Sequence, residues 1–338
     1  KRQGLYPPPP TGGIMEQILR MGVKEFLLSV DIPTLVVYSP KSNSIKSVTN
    51  LNNPKLVFVS SHELSYDKEL SKPYGIKQIV GYGGGTSIDF AKYYASLWGV
   101  PCVAIPSMLS TNVFATDKSA VTRNGVKNTE STVLPDKIIY DSKLLMKTPE
   151  MTLCGLADVL SIHTALKDWE LSGSEPIVNR IYSWANGLLI SATYLMDRFD
   201  ESFLEYHTWD AFNLLCSAGF VTNEYGNGRP ESGSEHILAK VIEEELDGDI
   251  PHAYSVSVGI LVSTYLQNNS SLAVKALKRA GVYDKVRKSK ITLGVLEKAL
   301  KQVSPRPDRY SIYDKVEYPM SQKLISNILE VAKSVIWK

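Results

Sequence analysis

The sequence predicts an α/β domain over residues 1–148, followed by an all-α domain over residues 149–338. Three observations support this prediction. Short apolar runs rich in β-branched residues alternate with helical patterns in the first part, which is typical of a parallel sheet. Beyond about residue 150 such runs become rare and helical spacing dominates. The length of 338 residues also suggests two domains.

The first part justifies the α/β prediction segment by segment. Residues 1–12, KRQGLYPPPPTG, contain four consecutive prolines and are expected to be extended, because proline favours the polyproline II conformation. An amphipathic pattern follows over residues 13–29. Strands are predicted at TLVVYS (34–39), KLVFVS (55–60), IKQIVGYGGG (76–85) and VPCVAIPS (100–107), with a helix over 86–99.

The second part contains helical patterns in succession. A single long helix is predicted over TPEMTLCGLADVLSIHTALKDWELS (148–172). Further helices are predicted at 175–200, 208–222, 232–247 and 254–267, and PRPDRY (305–310) is interpreted as a loop between helices.

Composition excludes several classes of protein. The net charge of +2 gives no reason to expect a nucleic acid or a membrane surface as partner. Cys102, Cys154 and Cys216 are few and scattered, which favours reduced thiols in a cytosol over a disulfide framework. No run of about 18 apolar residues could span a bilayer. We therefore expect a cytoplasmic protein with a small-molecule partner.

The stretch GYGGGTSID (81–89) follows a strand and opens a helix. Glycines let the backbone approach a ligand closely, and the start of a helix offers free N–H groups to a pyrophosphate. Ile88 breaks the GxGxxG spacing, and no Gly-Lys-Ser/Thr follows as in a P-loop. The pattern thus favours a phosphate site, while a tight turn without a ligand remains the alternative.

Two histidines and one aspartate are candidates for a metal site. His236 lies early in a predicted helix, and His252 follows a Gly-Asp-Ile-Pro break that would let the chain return. Asp158 interrupts an otherwise apolar helix face, and a buried carboxylate needs a partner such as a metal. Catalytic zinc and iron sites take three protein ligands and leave one position open. Spacing alone equally allows hydrogen-bonded histidines and a solvated aspartate.

Five motifs occur in order over residues 76–265: GYGGGTSIDFAK, IPSMLST, GLADVLSIHTALKDWELS, GNGRPESGSEH and PHAYSVSVG. In this arrangement the chain resembles the superfamily of glycerol dehydrogenases, iron-containing alcohol dehydrogenases and dehydroquinate synthases. Within it, the chain is most similar to the glycerol-1-phosphate dehydrogenases. The resemblance implies a dehydroquinate synthase-like fold, with a nucleotide-binding α/β domain, and a homo-oligomer.

The resemblance also implies two ligands, NAD(H) or NADP(H) and one divalent metal. Asp158, His236 and His252 would bind the metal, with zinc expected first and iron or nickel as alternatives. The residues that would contact the dinucleotide are Gly83, Gly84, Gly85, Thr86, Ser87, Asp89, Ser107, Ser110 and Thr111. Ser39 and Lys41 stand where NAD-preferring enzymes often carry an acidic residue, so NADP(H) is compatible with this position.

The implied reaction transfers a hydride to a small phosphorylated or otherwise anionic ketone, with dihydroxyacetone phosphate and sn-glycerol-1-phosphate as the specific expectation. Catalytic roles are expected for Asp158, Asn112 and Lys240. Substrate contacts are expected from Asn112, Lys118, Asn227, Arg229 and Lys240. Arginine suits phosphate because its planar guanidinium can donate two hydrogen bonds side by side.

Three departures from the family pattern affect the substrate side. Asn112 stands where an acidic residue is usual, and Lys240 stands where related members often carry a second histidine. Ala253 and Tyr254 add bulk after His252, where the family has glycine.

Two alternative functions remain open. A cyclase of the dehydroquinate synthase type would use NAD transiently, and Lys118 resembles a phosphate-binding lysine of that branch. Against it, the cyclases use glutamate where Asp158 stands and keep the histidine that is Lys240 here. A catalytically silent relative that binds nucleotide is the other alternative.

Overall fold

The structure, a computed structural model, describes residues 17–40, 48–68, 70–173, 177–200 and 202–338, apart from the side chain of Lys127. The predicted extended segment at 1–12, the start of the amphipathic pattern at 13–29 and Lys41 lie outside these ranges. The chain forms two compact units. Of the described residues, the first unit contains those from 17 to 152 together with 204–223, and the second contains those from 153 to 203 and from 224 to 338. The predicted boundary between residues 148 and 149 stays a prediction.

The first unit is built on a parallel sheet. Its strands are β1 (Ile18–Arg20), β2 (Thr34–Tyr38), β3 (Leu56–Ser60), β4 (Gln78–Gly83), β5 (Cys102–Pro106), β6 (Lys118–Arg123), β7 (Val126–Ser131) and β8 (Lys137–Tyr140). Six of them form one sheet in the order β1-β8-β5-β4-β2-β3, and every neighbouring pair is parallel. β6 and β7 form a separate antiparallel hairpin. The four strands predicted from sequence are confirmed, whereas β1 and β6–β8 were not predicted.

Both faces of this sheet are covered, which explains why its strands are continuous apolar runs. Helices α1 (Val23–Ser29), α2 (Gly85–Trp98) and α3 (Ser142–Leu145) belong to this unit. α1 packs on one face with Val36, Val80 and Tyr82, and α2 packs on the other with Leu35 and Ile79. The side chains alternate between the two clusters as the strand period of two requires. The helix predicted at 86–99 is confirmed as α2, whereas the pattern at 13–29 divides into β1 and α1.

A helix from later in the chain completes the first unit. Within α7 (Phe203–Tyr225), Trp209 and Phe212 make edge contacts with Tyr140, and Phe212 stacks on Phe114 with the ring centroids 5.3 Å apart. At Gly219 a Cβ atom would lie only 2.5 Å from the Ala115 carbonyl oxygen, so the two backbones are in direct contact. The segment 204–223 therefore packs with the sheet unit, although its sequence predicts only a helix.

The second unit is helical. Its helices are α4 (Pro149–Val159), which begins four residues before the unit, α5 (Ile162–Ser172), α6 (Asn179–Met196), α8 (Ser234–Glu245), α9 (His252–Leu266), α10 (Leu272–Arg279), α11 (Val282–Arg287), α12 (Leu293–Gln302) and α13 (Gln322–Val335). The predicted fold class, an α/β domain plus an all-α domain, is confirmed. Among the described helices, none combines the length and the apolar character that crossing a bilayer needs.

The prediction of one helix over 148–172 is wrong, because the chain breaks between α4 and α5. Around the break the amides of Ser161, His163 and Thr164 bond three residues back instead of four. The Ser161 hydroxyl donates to the carbonyl oxygen of Glu231 at 2.6 Å. This tighter turn reorients the chain immediately after Asp158.

Candidate metal and dinucleotide sites

Asp158, His236 and His252 come together in the second unit. They lie near the end of α4, near the start of α8 and at the first residue of α9. The Asp158 Oδ1 atom is 3.4 Å from His236 Nε2 and 3.9 Å from His252 Nε2. The three ligand atoms all lie within 4.8 Å of one another. This is the donor set of two imidazoles and one carboxylate expected from the sequence.

Close packing of α8 on α9 brings the two histidines together. Pro251 precedes α9, so the chain turns back and places His252 opposite the start of α8. Two turns further along α9, a Cβ on Gly259 would lie 2.2 Å from the carbonyl oxygen of Glu235. Only glycine allows such a contact, and the imidazole rings of His236 and His252 consequently lie 5.3 Å apart between centroids.

A second carboxylate lies behind each histidine. Glu235 Oε1 is 2.9 Å from His236 Nδ1, and Glu243 Oε1 is 2.5 Å from His252 Nδ1. Each carboxylate is held in turn, because Thr164 Oγ1 donates to Glu235 at 2.6 Å and Ser255 Oγ donates to Glu243 at 2.6 Å. A proton on Nδ1 leaves Nε2 free to bind a metal. Neither glutamate was predicted from the sequence.

The electrostatics of this cluster favour a cation. Burial lowers the pKa of His236, but its hydrogen bonds to Asp158 and Glu235 outweigh burial and raise the pKa to about 10. Asp168 is not one of the three cluster residues, but burial and the negative charge of Glu235 raise its pKa to about 6. The side chain of His252 is 43% exposed, so one side of the cluster is open to ligands. The cluster therefore fits one divalent metal with three protein ligands.

The candidate dinucleotide site lies at the carboxyl ends of the strands in the first unit. The sheet order reverses direction between β2 and β4, and such switch points commonly form ligand crevices in doubly wound folds. Ser39 follows β2, and its amide donates to the Tyr82 carbonyl oxygen at 3.1 Å. Ser107 follows β5, and its amide donates to the Gly83 carbonyl oxygen at 2.8 Å. The predicted residues Ser39, Gly83 and Ser107 are thus neighbours.

The glycine turn is shaped for close approach. Gly83 has φ +144°, and a Cβ there would lie 2.8 Å from the Ser39 Cβ. Gly84 precedes α2 without a side-chain cap, so no capping side chain competes for the first amides of that helix. Ser87 is buried and donates to Ser61 Oγ at 3.4 Å. Ser61 directly follows β3 and was not predicted from the sequence as a neighbour of the glycine turn.

The remaining predicted cofactor residues have mixed surroundings. Thr86 is exposed on the first turn of α2. A Cβ on Gly85 would lie 3.6 Å from Thr111 Cγ2, so the loop that carries Ser110 and Thr111 contacts the glycine turn. Asp89 is buried, and its Oδ1 lies 3.9 Å from Lys92 Nζ. Ser107 Oγ is buried with no hydrogen-bond partner among the described residues.

The predicted substrate residues contact other protein groups. Lys118 Nζ lies 3.2 Å from Asp117 Oδ1 and donates to Ser131 Oγ at 3.0 Å. Arg229 is only 2% exposed, and its Nη1 donates to the Tyr310 carbonyl oxygen at 2.8 Å.

Three further residues were predicted to act on the substrate. Asn227 accepts a hydrogen bond from the Arg229 amide, and Asn112 precedes a 3-10 helix over Val113–Ala115. Lys240 lies one turn after His236 but is half-exposed, with its Nζ 3.9 Å from Glu244 Oε1. The substrate roles of these residues stay predictions.

Comparison with known proteins gives a consistent result. The family model of iron-containing alcohol dehydrogenases matches residues 43–149. The NAD(P)+ glycerol-1-phosphate dehydrogenase of Thermoplasma volcanium is 30% identical over 243 residues, covering 69% of this chain and 68% of the relative. The enzyme of the same name from Thermococcus kodakarensis is 30% identical over 300 residues, covering 83% and 84% of the two chains. A probable glycerol dehydrogenase from Sinorhizobium meliloti has the same fold, with a TM-score of 0.68 at 16% identity over 94% of this chain and 96% of that chain.

The fold and the cluster of Asp158, His236 and His252 define the class of iron-containing alcohol dehydrogenases, which combine a nucleotide-binding sheet domain with a helical domain. Within that class, the chain belongs to the glycerol-1-phosphate dehydrogenase family. It is therefore an NAD(P)-dependent dehydrogenase, and its family is one that uses a divalent metal.

Proposed function

We propose that the protein is a metal-dependent NAD(P)(H) oxidoreductase that interconverts a small phosphorylated ketone and its alcohol. Dihydroxyacetone phosphate and sn-glycerol-1-phosphate are the proposed pair, since glycerol-1-phosphate dehydrogenases are the relatives at 30% identity. The observation that carries the proposal is the cluster of one carboxylate and two imidazoles within 4.8 Å. Zinc is the proposed metal, since nitrogen and oxygen donors in this number suit it.

The chemistry divides between the bound groups and the residues of the chain. A bound metal supplies Lewis-acid polarisation of the substrate carbonyl oxygen, and a bound reduced nicotinamide supplies the hydride. Asp158, His236 and His252 would hold the metal, while Glu235 and Glu243 keep the imidazoles oriented with Nε2 toward it. The amides at the start of α2 would bind the pyrophosphate of the dinucleotide.

The chain's own residues suggest which dinucleotide is accepted. Ser39 directly follows β2 and carries no carboxylate that would repel a 2′-phosphate. We therefore propose that both NADH and NADPH are used. A cytoplasmic location and a homo-oligomeric state are proposed with this function, and the three buried free cysteines are compatible with a reducing compartment.

The decisive experiment measures metal-dependent reduction of dihydroxyacetone phosphate. Protein stripped with a chelator is assayed with NADH or NADPH, with and without added zinc, by the absorbance of reduced nicotinamide at about 340 nm. We expect activity only with metal, and its loss in Asp158→Asn. Asp284→Asn is the matched control, since its carboxylate is 61% exposed and pairs with Arg287 on the surface.

Each contrary outcome is informative. Equal activity with and without metal across a panel of ketones would overturn the proposal. Release of inorganic phosphate from a sugar phosphate without net oxidation of NADPH would favour the cyclase alternative. Nucleotide binding without any turnover would favour the catalytically silent relative.

A further inference from the structure

Lys92 is a lysine with no exposed surface. It lies in the middle of α2, two turns after the glycine turn, and its side chain is completely buried. Burial lowers the pKa of Lys92 to about 8, although the nearby carboxylate of Asp89 favours the charged form. A lysine is almost never fully buried unless its ammonium group is paired.

All three N–H donors of the Lys92 ammonium group have acceptors in one short segment. Nζ donates to the carbonyl oxygens of Val113 and Thr116, each at 2.9 Å, and to the carbonyl oxygen of Lys118. An ammonium group has three donors and no acceptor capacity, so this arrangement uses all of them. We call residues Asn112–Lys118 the anchored segment.

The opposite side of the anchored segment is held by α7. Asn223 Oδ1 accepts from Thr116 Oγ1 and from the Asp117 amide, both at 3.0 Å, and its Nδ2 donates to the Ala115 carbonyl oxygen at 3.1 Å. The backbone contact between Gly219 and Ala115 lies one turn earlier on the same helix. Lys92 from α2 and Asn223 from α7 thus provide hydrogen-bond partners for backbone groups of the anchored segment.

The anchored segment adjoins the candidate dinucleotide site. It begins with Asn112 directly after Ser110 and Thr111, and it ends with Lys118. A Cβ on Gly85 would lie 3.8 Å from Val113 Cγ1, so the segment also contacts the glycine turn. A displacement of the segment would therefore move residues predicted to contact cofactor and substrate.

We propose that Lys92 is a positioning residue that fixes the anchored segment against α2, so that the loop residues 110–112 keep their place beside the glycine turn. The proposal rests on the proposed function for its substrate assay, but not for its nucleotide-binding assay. A buried charge is a costly way to fill a core, and an apolar side chain of the same length would fill the volume equally well. What the apolar side chain cannot do is bind three carbonyl oxygens.

The test replaces Lys92 with methionine, an unbranched side chain that is one atom shorter and carries no hydrogen-bond donor. For Lys92→Met we expect the dissociation constant of NADPH, followed by quenching of its fluorescence, to rise at least tenfold. The KM for dihydroxyacetone phosphate should rise by a similar factor. Zinc content should be unchanged, because the metal ligands belong to the other compact unit. Lys24→Met, on the exposed side of α1, is the matched control and should behave as wild type.

A second variant keeps the test decisive if Lys92→Met does not fold. Asn223→Ala removes the opposite anchor, and we expect it to raise the same two constants about threefold. A purely structural role predicts a lower melting temperature with unchanged dissociation constant and KM for the folded molecules, and that result in either variant would overturn the proposal. If wild type binds NADPH but does not reduce the ketone, the proposed function fails while the binding comparison still decides the role of Lys92.

Discussion

The contact between Gly259 and Glu235 predicts a sharp effect of a single methyl group on metal binding. In Gly259→Ala the new Cβ would lie 2.2 Å from the Glu235 carbonyl oxygen and 2.9 Å from its Cα. These neighbours are backbone atoms of α8, so neither can rotate away. Relief to an ordinary contact of 3.4 Å requires α9 to move by about 1.2 Å, the difference between 3.4 and 2.2.

That displacement is large for a metal site. His252 is the first residue of α9 and would move with the helix, whereas Asp158 and His236 lie on other helices. Distances from metal to ligand are typically kept within about 0.2 Å. We therefore expect zinc affinity to fall at least tenfold, about 1.4 kcal/mol. Overpacking costs about 1–3 kcal/mol of stability, partly offset by about 1 kcal/mol from the higher helix propensity of alanine.

The assay is competition for zinc with a chromogenic chelator, together with unfolding in urea. Gly187→Ala is the control, because a Cβ at this helical glycine meets no atom within 4 Å. The control should bind zinc as wild type does and be equally stable or more stable by up to about 1 kcal/mol. Wild-type zinc affinity in Gly259→Ala would refute the idea that this contact sets the geometry of the two histidines.

Three further predictions concern other residues of the two sites. Gly83→Ala should lower the urea midpoint of unfolding, because the new Cβ would lie 2.8 Å from Ser39 Cβ at a residue with φ +144°. Gly85→Ala is the control and should unfold like wild type, because the nearest atom to its new Cβ is 3.6 Å away. Equal midpoints for the two variants would contradict the prediction. Glu243→Gln should weaken zinc binding about 10–100-fold, because an amide oxygen accepts the Nδ1 proton of His252 less strongly than a carboxylate does. The side chain of Glu244 is exposed, so Glu244→Gln should leave zinc binding unchanged in the same competition with a chelator. Burial raises the pKa of Asp168 from 3.8 to about 6. Its stabilising contribution to the free energy of unfolding is therefore complete below pH 3.8 and is lost as the pH rises through about 6. The change amounts to roughly 3 kcal/mol. Asp168→Asn should remove that part of the pH dependence measured by urea titration, and an unchanged slope between about pH 4 and 6 would show that another group causes it.

The sequence predicted the central strands and the helices because their apolar patterns are long. It did not predict the β6–β7 hairpin, although Asn124-Gly125 is a strong turn signal and both residues have positive φ. The flanking strands, KSAVTR and VKNTES, carry few apolar residues and therefore give no clear strand pattern. The break after Asp158 was equally hidden, because it depends on a hydrogen bond from Ser161 to Glu231, 70 residues away.

In the candidate sites, too, residues within recognisable motifs were predictable, whereas residues defined by contacts with distant parts of the chain were not. The grouping of Asp158, His236 and His252 was predictable, since each lies in a motif that resembles a family signature. Glu243 was not, because it lies nine residues from His252 in a helix where glutamate is common on the surface. The partners of Lys92 were unpredictable for a related reason, since they are carbonyl oxygens of a loop, and the first of them, on Val113, lies 21 residues later.

Because residues 204–223 of α7 belong to the first unit, that unit cannot be completed until they have been synthesised. The unit has most of its chain by residue 152, but its last segment ends at residue 223, which is 71 residues later. At about 5–20 residues per second, a ribosome needs roughly 4–14 s to cover that interval. Throughout it, Phe114, Ala115 and Tyr140 lack the helix that covers them in the finished protein. The apolar surface of the nascent sheet therefore stays uncovered while residues 153–203, which belong to the second unit, are synthesised.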